Sequence, residues 1–334
     1  MYIIQHVLLA LGGIALFLLG LKFMSENMEK LTGEKMKLIL GGCTKNKYLG
    51  VLTGTFTTAV LQSSVATNII LVGFVSNGLI SFYQASAVIM GTNIGTTMTA
   101  QLVSLSGNTS FDITAFGAIM VFIGFLLSLS KNQNHVNVGN VMMGFGMLFF
   151  GLNVVSECIS VFKSYEVFCN IFLVKNSLLL FFNGILITAI VQSSSAVTSL
   201  MIILASNGLL NFENSMFLIL GTNIGTCFAV IFASLNKSLE GRQTAFFNLA
   251  FNIFGSIILF IPLFLFKSQI AYFFSLFSNG IERQIANFHT LFNITVTLVL
   301  LPILKPFTTL ISKIIKDDNP KKVIEIKRLN LSES

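Results

Sequence analysis

Two short polar stretches interrupt apolar sequence: Gln62-Ser63-Ser64 in TAVLQSSVATNIIL, and Gln192-Ser193-Ser194-Ser195 in TAIVQSSSAVTSLMIIL. Side chains that need hydrogen bonds cost free energy in hydrocarbon unless something there satisfies or uses them. Their chemistry suits ions. Amide and hydroxyl oxygens are hard ligands of the kind Na+ takes. A serine ahead of an apolar helical run is a natural N-cap, and the helix behind it turns free N–H groups and partial positive charge toward an anion. Both stretches are followed by SNGL (76–79 and 206–209) and by GTNIGT (91–96 and 221–226). Close helix packing explains Gly91, Gly95, Gly221 and Gly225. It does not explain Asn93 and Asn223, which are read, with Thr92 and Thr222, as lining a cavity opposite the Gln-Ser-Ser tips. Thr58 and Thr188, about one turn ahead of the tips, join Gln62, Gln192, Ser195, Thr92 and Thr222 as candidate Na+ ligands. Asn248, Asn252, Asn287 and Asn293 fit either interhelical hydrogen bonding or the site.

The elements that must position these residues follow from composition. The 334 residues are 54% hydrophobic and 10% charged, against about 25% charged in a soluble domain. Apolar runs at 3–24, 85–105, 111–130, 137–156, 215–235, 245–266 and 286–304 approach the roughly 20 residues that cross a bilayer core. The first run lacks the basic start and clear cleavage site of a signal peptide, so it reads as a retained helix. The chain is also a duplication. Sliding 52–101 onto 182–231 without a gap gives 19 identities, and a slightly longer offset pairs Gly13 with Gly144, Gly20 with Gly151 and Ser25 with Ser156.

The half-length arms around the first tip, 49–61 and 66–76, each reach about half the bilayer at about 1.5 Å per residue. They read as a hairpin that enters and leaves on one side. Three spans and one hairpin per repeat make an odd number of crossings, which turns the second copy upside down. Threaded with an external N-terminus, the segments 22–48, 131–136, 236–242 and the tail from 305 lie inside with 6, 1, 2 and 7 Lys or Arg; Lys163, Lys175, Lys267 and Arg283 stay outside. That asymmetry is what positive-inside anchoring predicts. If both hairpins spanned instead, four crossings per repeat would make the repeats parallel, which fits the basic residues less well but stays open. The preferred fold class is an all-α integral membrane protein of two inverted repeats, each with three spanning helices and one re-entrant hairpin, plus a C-terminal span. Repeat 1 covers 1–131 (hairpin about 49–76) and repeat 2 covers 132–267 (hairpin about 178–206). A loop and final transmembrane helix follow at 268–305, then a basic cytoplasmic tail at 306–334. This places a multi-pass protein in the plasma membrane with its C-terminus in the cytoplasm.

The basic tail carries Asp317, Asp318 and Glu325 and no interleaved aromatics, which argues against nucleic acid. The four cysteines form no CxxC and have no metal spacing; Cys158 and Cys169 could share an external loop and pair, with free thiols the preferred reading. No enzyme constellation and no organic cofactor loop is present. A homodimer is compatible with the sequence, which does not argue for it. Without a charged residue in the middle of any proposed span, a bound anion must be met by dipoles, hydroxyls and co-bound cations. Only His289 offers an intramembrane proton relay, so Na+ coupling is preferred to proton coupling. Ser25, far from both tips along the chain, serves as a folding control.

TAxxQSSS, SNGL and GTNIGT, each in two copies, followed by RQTAFFNLAFN (242–252) and ANFHTLFN (286–293), resemble the type II sodium–phosphate cotransporter family in its bacterial form. The resemblance covers about residues 5–305. It implies two opposed hairpins whose Gln-Ser-Ser motifs bind inorganic phosphate with Na+, for import by alternating access. Three departures stand out. Val65 replaces the third serine of the first motif, Asn248 stands where the family commonly has His, and the sequence after Pro306 is too short for the regulatory domain of many bacterial members. The alternatives are a carrier of another small anion, and a non-transporting membrane sensor or anion channel.

Overall fold

The computed structural model describes residues 2–42, 46–107, 113–163, 176–278 and 280–316, and within them the chain is helical with no strand. The helices are α1 (Tyr2–Gly42), α2 (Lys47–Leu61), α3 (Ser64–Ser76), α4 (Phe82–Val103), α5 (Ile113–Ser128), α6 (Gln133–Phe162), α7 (Ser177–Val191), α8 (Ser194–Ser206), α9 (Phe212–Ser234), α10 (Leu239–Phe277), α11 (Ile281–Leu300) and α12 (Leu304–Ile314). Four are long and apolar enough to cross a membrane, or five if α11 and α12, bent by 85°, form one broken span. The expected spans at 85–105 and 111–130 fall outside that set. α4 is rich in Gly, Thr and Asn over 91–99, and α5 has 16 residues. Apolar side chains such as Leu11, Phe122, Leu186 and Phe264 point outward, a surface that lipid solvates and water does not.

Glycines set how the helices run. A Cβ on Gly20 would lie 2.6 Å from the Gly144 carbonyl oxygen, and one on Gly151 would lie 2.5 Å from that of Gly13. Pairing 20 with 144 and 13 with 151 means that α1 and α6 cross antiparallel. In contrast, Gly91 abuts Val51 and Gly95 abuts Thr55, while Gly221 abuts Phe181 and Gly225 abuts Ile185. There the numbers rise together, so α2 runs parallel to α4, and α7 parallel to α9. Two adjacent parallel helices require the element between them to bring the chain back. α3 and α8 do that, so α2–α3 and α7–α8 are hairpins.

Polar contacts sort the helix ends into two groups. At one end Lys47 Nζ donates to the Leu301 carbonyl (3.2 Å) and Gln243 Nε2 to that of Ile315 (3.0 Å). At the other, Arg283 donates to Gln101 Oε1 (2.9 Å) and Ser104 Oγ (3.0 Å), and Lys267 pairs with Glu213 at 3.4 Å. α2 starts at the first end, with Lys47. α9 starts at the second, with Glu213, and α7 runs parallel to it. The first arms α2 and α7 therefore start at opposite ends of the helix bundle.

Three stretches differ from the sequence reading. α1 stays helical through Gly42 for 41 residues, so residues 22–42 are not a loop. α10 continues to Phe277, interrupted at Phe266 (φ −128°, ψ 26°) about one turn past Pro262, where proline deletes a backbone donor and crowds the preceding turn. The segment from 306 opens inside α12, whose Leu304, Phe307, Thr308 and Ile311 are buried. Cys169 lies outside the described residues; Cys158 is buried.

Candidate functional site

Each hairpin turns across two residues, a left-handed glutamine and an extended serine. Gln62 (φ 56°) and Gln192 (φ 58°) are the non-glycine residues with positive φ among the described residues. Their N–H groups close the first arm onto the Thr58 (2.8 Å) and Thr188 (2.7 Å) carbonyls. The next residue caps the second arm, since Ser63 Oγ accepts from Ala66 N and Ser193 Oγ from Ala196 N, both at 3.2 Å. Any L-residue other than glycine is strained in this conformation, so keeping glutamine implies a use for the amide. In the first copy Thr99 Oγ1 donates to Gln62 Oε1 (2.7 Å) and Gln62 Nε2 donates to the Ala59 carbonyl. The position equivalent to Thr99 is Ala229, so the Gln192 amide lacks that hydroxyl partner.

Both tips meet in one cavity of about 320 Å³, lined by Gln62, Ser63 and Ser64 from one side and by Gln192, Ser193, Ser194 and Ser195 from the other. Val65 lines it too, opposite in the repeat to Ser195, and also packs against Val72, Val230 and Ala245. Ser64 and Ser194 open as well onto a second chamber of about 10 Å³, the size of a single water or bare ion. Asn93 and Asn223 line this chamber with Asn68, Asn248 and Asn252. Asn223 Nδ2 donates to Asn293 Oδ1 (2.7 Å), and its Oδ1 faces His289 Nε2 at 3.4 Å. Asn252 Nδ2 donates to the Asn248 carbonyl (2.9 Å) and approaches Cys227 Sγ (3.3 Å). Among the described residues there is no cluster of three His, Cys, Asp or Glu; the chamber offers amide and hydroxyl groups.

The four threonines named from the sequence lie behind these surfaces. The Thr92 hydroxyl lies 2.8 Å from the Ile89 carbonyl and 3.0 Å from Asn68 Oδ1, with one proton for either acceptor, and Thr222 donates to the Ile219 carbonyl (2.8 Å). Neither lines the cavity or the chamber; Thr96 and Thr226 line both. Thr58 donates to Thr67 Oγ1 at 3.4 Å. Thr188 is fully buried with no partner for its hydroxyl, because valine at 197 stands where the first copy has Thr67.

Sequence reasoning missed one wall of the cavity. Leu18, Leu21, Lys22 and Ser25 of α1 line it, a spacing that is one stripe of a helix. Ser25 Oγ donates to the Leu61 carbonyl at 2.9 Å, so Ser25 touches the first tip and is no folding control. A charged side chain, Lys22, also reaches the site. The available signal was a lysine just past the apolar start of α1, together with the repeat match of Ser25 to Ser156.

The Na+/Pi-cotransporter family model matches residues 16–157 and 170–292. The chain is 27% identical over 306 residues to an uncharacterised protein of Bacillus subtilis, YqeW, covering 90% of this chain and 96% of that one. It is 24% identical over 311 residues to the "Putative inorganic phosphate export protein YjbB" of Escherichia coli, covering 92% of this chain and 55% of that one. The chain thus spans about half the length of the Escherichia coli relative. It is 31% identical over 104 residues to the human "Sodium-dependent phosphate transport protein 2B", covering 30% of this chain and 15% of that one. No solved structure matches.

Proposed function

The chain belongs to the Na+/Pi-cotransporter family, and we propose that it imports inorganic phosphate across the cell membrane with Na+ as coupling ion, by alternating access. The observation that carries this reading is that the two Gln-Ser-Ser tips line one cavity. Phosphate sits between them, held by the amides of Gln62 and Gln192, by the tip serines and by the N-terminal N–H groups of α3 and α8. Na+ takes oxygens deeper in, from Ser64, Ser194, Asn93 and Asn223 around the small chamber, with Thr96 and Thr226 beside them and the unpartnered Thr188 hydroxyl behind the second tip. Na+ bound next to the anion offsets its charge where the tips themselves carry none.

The membrane arrangement proposed is two inverted repeats. Its support is that equivalent helices α1 and α6 cross antiparallel through reciprocal glycine pairs, the contact a two-fold axis perpendicular to both would make. The end holding Lys47 and Gln243 is then cytoplasmic. On the α1 wall Leu18, Leu21 and Ser25 are half-buried and Lys22 is exposed, whereas Phe149 and Leu152, the α6 equivalents of Leu18 and Leu21, are each 2% exposed. In this reading the cavity opens inward.

One observation favours the opposite direction: the Escherichia coli relative is named for phosphate export. Radiolabelled phosphate flux in proteoliposomes separates the two. Accumulation above the external concentration that needs external Na+, and not K+, is the expected result. Efflux from preloaded vesicles without Na+ dependence would favour export, and no flux in either direction from folded protein would remove phosphate as the substrate.

A further inference from the structure

The tip cavity has one charged wall residue, and nothing in the reading above uses it. Of the side chains that line the cavity, Lys22 alone carries a formal charge. We propose that Lys22 is the handover charge for the anion: an ammonium at the inward mouth of the cavity that pairs with the oxyanion as it passes between the tips and the cytoplasmic side, in release during import and in capture when the carrier runs in reverse. This rests on the cavity between the tips being an anion site.

Three observations carry the inference. Lys22 shares a helical stripe with Leu18, Leu21 and Ser25 that faces the tips, so its position follows from the helix itself. Ser25, about one turn further on, is hydrogen-bonded to the Leu61 carbonyl at 2.9 Å, which fixes that stripe against the first tip. The ammonium also follows directly on an apolar run, where turning to lipid would be costly and turning to a wet cavity is not.

Its present partner is weak. Lys22 Nζ lies 3.7 Å from Glu26 Oε1, with the two side chains 67% and 50% exposed, a geometry that stabilises little and is easily exchanged. A phosphate oxygen can replace that carboxylate, and the freed Glu26 remains in water on the same face of α1. The charge is also one-sided. The α6 equivalent of Lys22 is Asn153, which donates to Thr114 Oγ1 at 3.5 Å. The anion therefore meets a charged side chain only while the cavity opens along α1, so Lys22 acts on apparent affinity at that side of the membrane and not at the other. The ammonium is compact and strongly hydrated, which suits capture and release better than permanent chelation.

The test has a transport arm and an arm independent of transport. In proteoliposomes, Lys22→Gln raises the KM for phosphate on the α1-accessible side about tenfold and flattens its dependence on ionic strength, as loss of a steering charge requires. Lys22→Arg stays within about twofold of wild type, and Glu26→Gln lowers KM. A Lys22→Gln protein with wild-type KM and salt dependence overturns the proposal, as does Lys22→Arg behaving like Lys22→Gln. In the second arm the purified wild-type protein is acetylated with an N-hydroxysuccinimide ester, and modification of Lys22 is read by peptide mass spectrometry in phosphate, sulfate or gluconate. Protection by phosphate is expected. Protection by sulfate alone, with no phosphate flux, removes phosphate as substrate and keeps Lys22 as the anion-pairing charge at the mouth. Equal modification in all three anions overturns the role of Lys22 even where phosphate flux is normal.

Discussion

Gln62 and Gln192 occupy a backbone region that costs an L-residue about 1 kcal/mol or more and glycine almost nothing. A turn that only had to reverse the chain would be served by glycine, as the SNGL turns are at Gly78 (φ 69°) and Gly208 (φ 72°). Strain retained at both tips points to the glutamine amide. Replacing Gln192 by Gly or by Ala then separates stability from function. Gln192→Gly should leave thermal unfolding in detergent unchanged or raise stability by up to about 1 kcal/mol, and Gln192→Ala should be about 1 kcal/mol less stable than Gln192→Gly. Both should lose most phosphate uptake. Full uptake by Gln192→Gly would mean the amide is dispensable. These glutamines and serines were legible in the sequence because polar groups in hydrocarbon stand out and the duplication repeats them. The choice between Thr92 and Thr96 was not legible. Both belong to the repeated hexapeptide, and which of the two reaches the site depends on how α4 is rotated against α2 and α3. The same holds for Thr222 and Thr226.

Between helices, the hairpins are held by glycines where backbone meets backbone. A Cβ on Gly221 would fall 2.1 Å from the Phe181 carbonyl oxygen, and one on Gly91 would fall 1.9 Å from that of Val51, while a Cβ on Gly73 meets nothing within 4 Å. The atoms in the way at Gly221 are backbone, so the helices themselves must move apart. Gly221→Ala should cost about 1–3 kcal/mol of stability and reduce uptake, because α7 carries the second tip. Gly73→Ala, at the open last turn of α3, should keep uptake and gain up to about 1 kcal/mol from helix propensity. Comparable loss from both variants would detach glycine packing from tip position. The arms of the first hairpin were readable from the sequence, at 49–61 and 66–76 against α2 at Lys47–Leu61 and α3 at Ser64–Ser76, because the polar tip and the SNGL turn punctuate them. The length of α1 was not. Hydropathy ends near Lys22, but helix propensity does not, and residues such as Glu26, Glu29, Lys30 and Glu34 continue the helix with a polar surface. The 85° bend between α11 and α12 likewise has no breaker at its corner except Pro302, so a single apolar run reads as a straight span.

For the molecule as a whole, the reciprocal glycine pairs that relate α1 to α6 would make equivalent residues equivalent in their contacts if the symmetry were complete. Ser25 and Ser156 break it. Ser25 donates to the Leu61 carbonyl beneath the first tip, whereas Ser156 accepts from Asn207 Nδ2 (2.9 Å) at the far end of α8. Val191 occupies the position equivalent to Leu61, and Asn77 the position equivalent to Asn207; Asn77 donates to its own Gly73 carbonyl (2.9 Å). A duplicated protein that alternates between two faces can do so by exchanging the contact sets of its halves, since the exchanged state is built from the same residues. The second state then has Ser156 against the Val191 carbonyl and Ser25 near Asn77, with the cavity opened along α6 and closed along α1. The pairs Ser25→Cys with Leu61→Cys, and Ser156→Cys with Val191→Cys, each report one state, because a contact of this length brings the two backbones within reach of a disulfide. Introduced separately into a protein freed of its native cysteines that still takes up phosphate, each pair should stop uptake on oxidation and restore it on reduction. Conditions that favour one crosslink should disfavour the other: Na+ and phosphate supplied from a single side should raise one yield and lower its counterpart. If the second pair never forms, or both yields rise together, the two halves do not exchange roles, and the difference between Ser25 and Ser156 is a fixed feature of the fold.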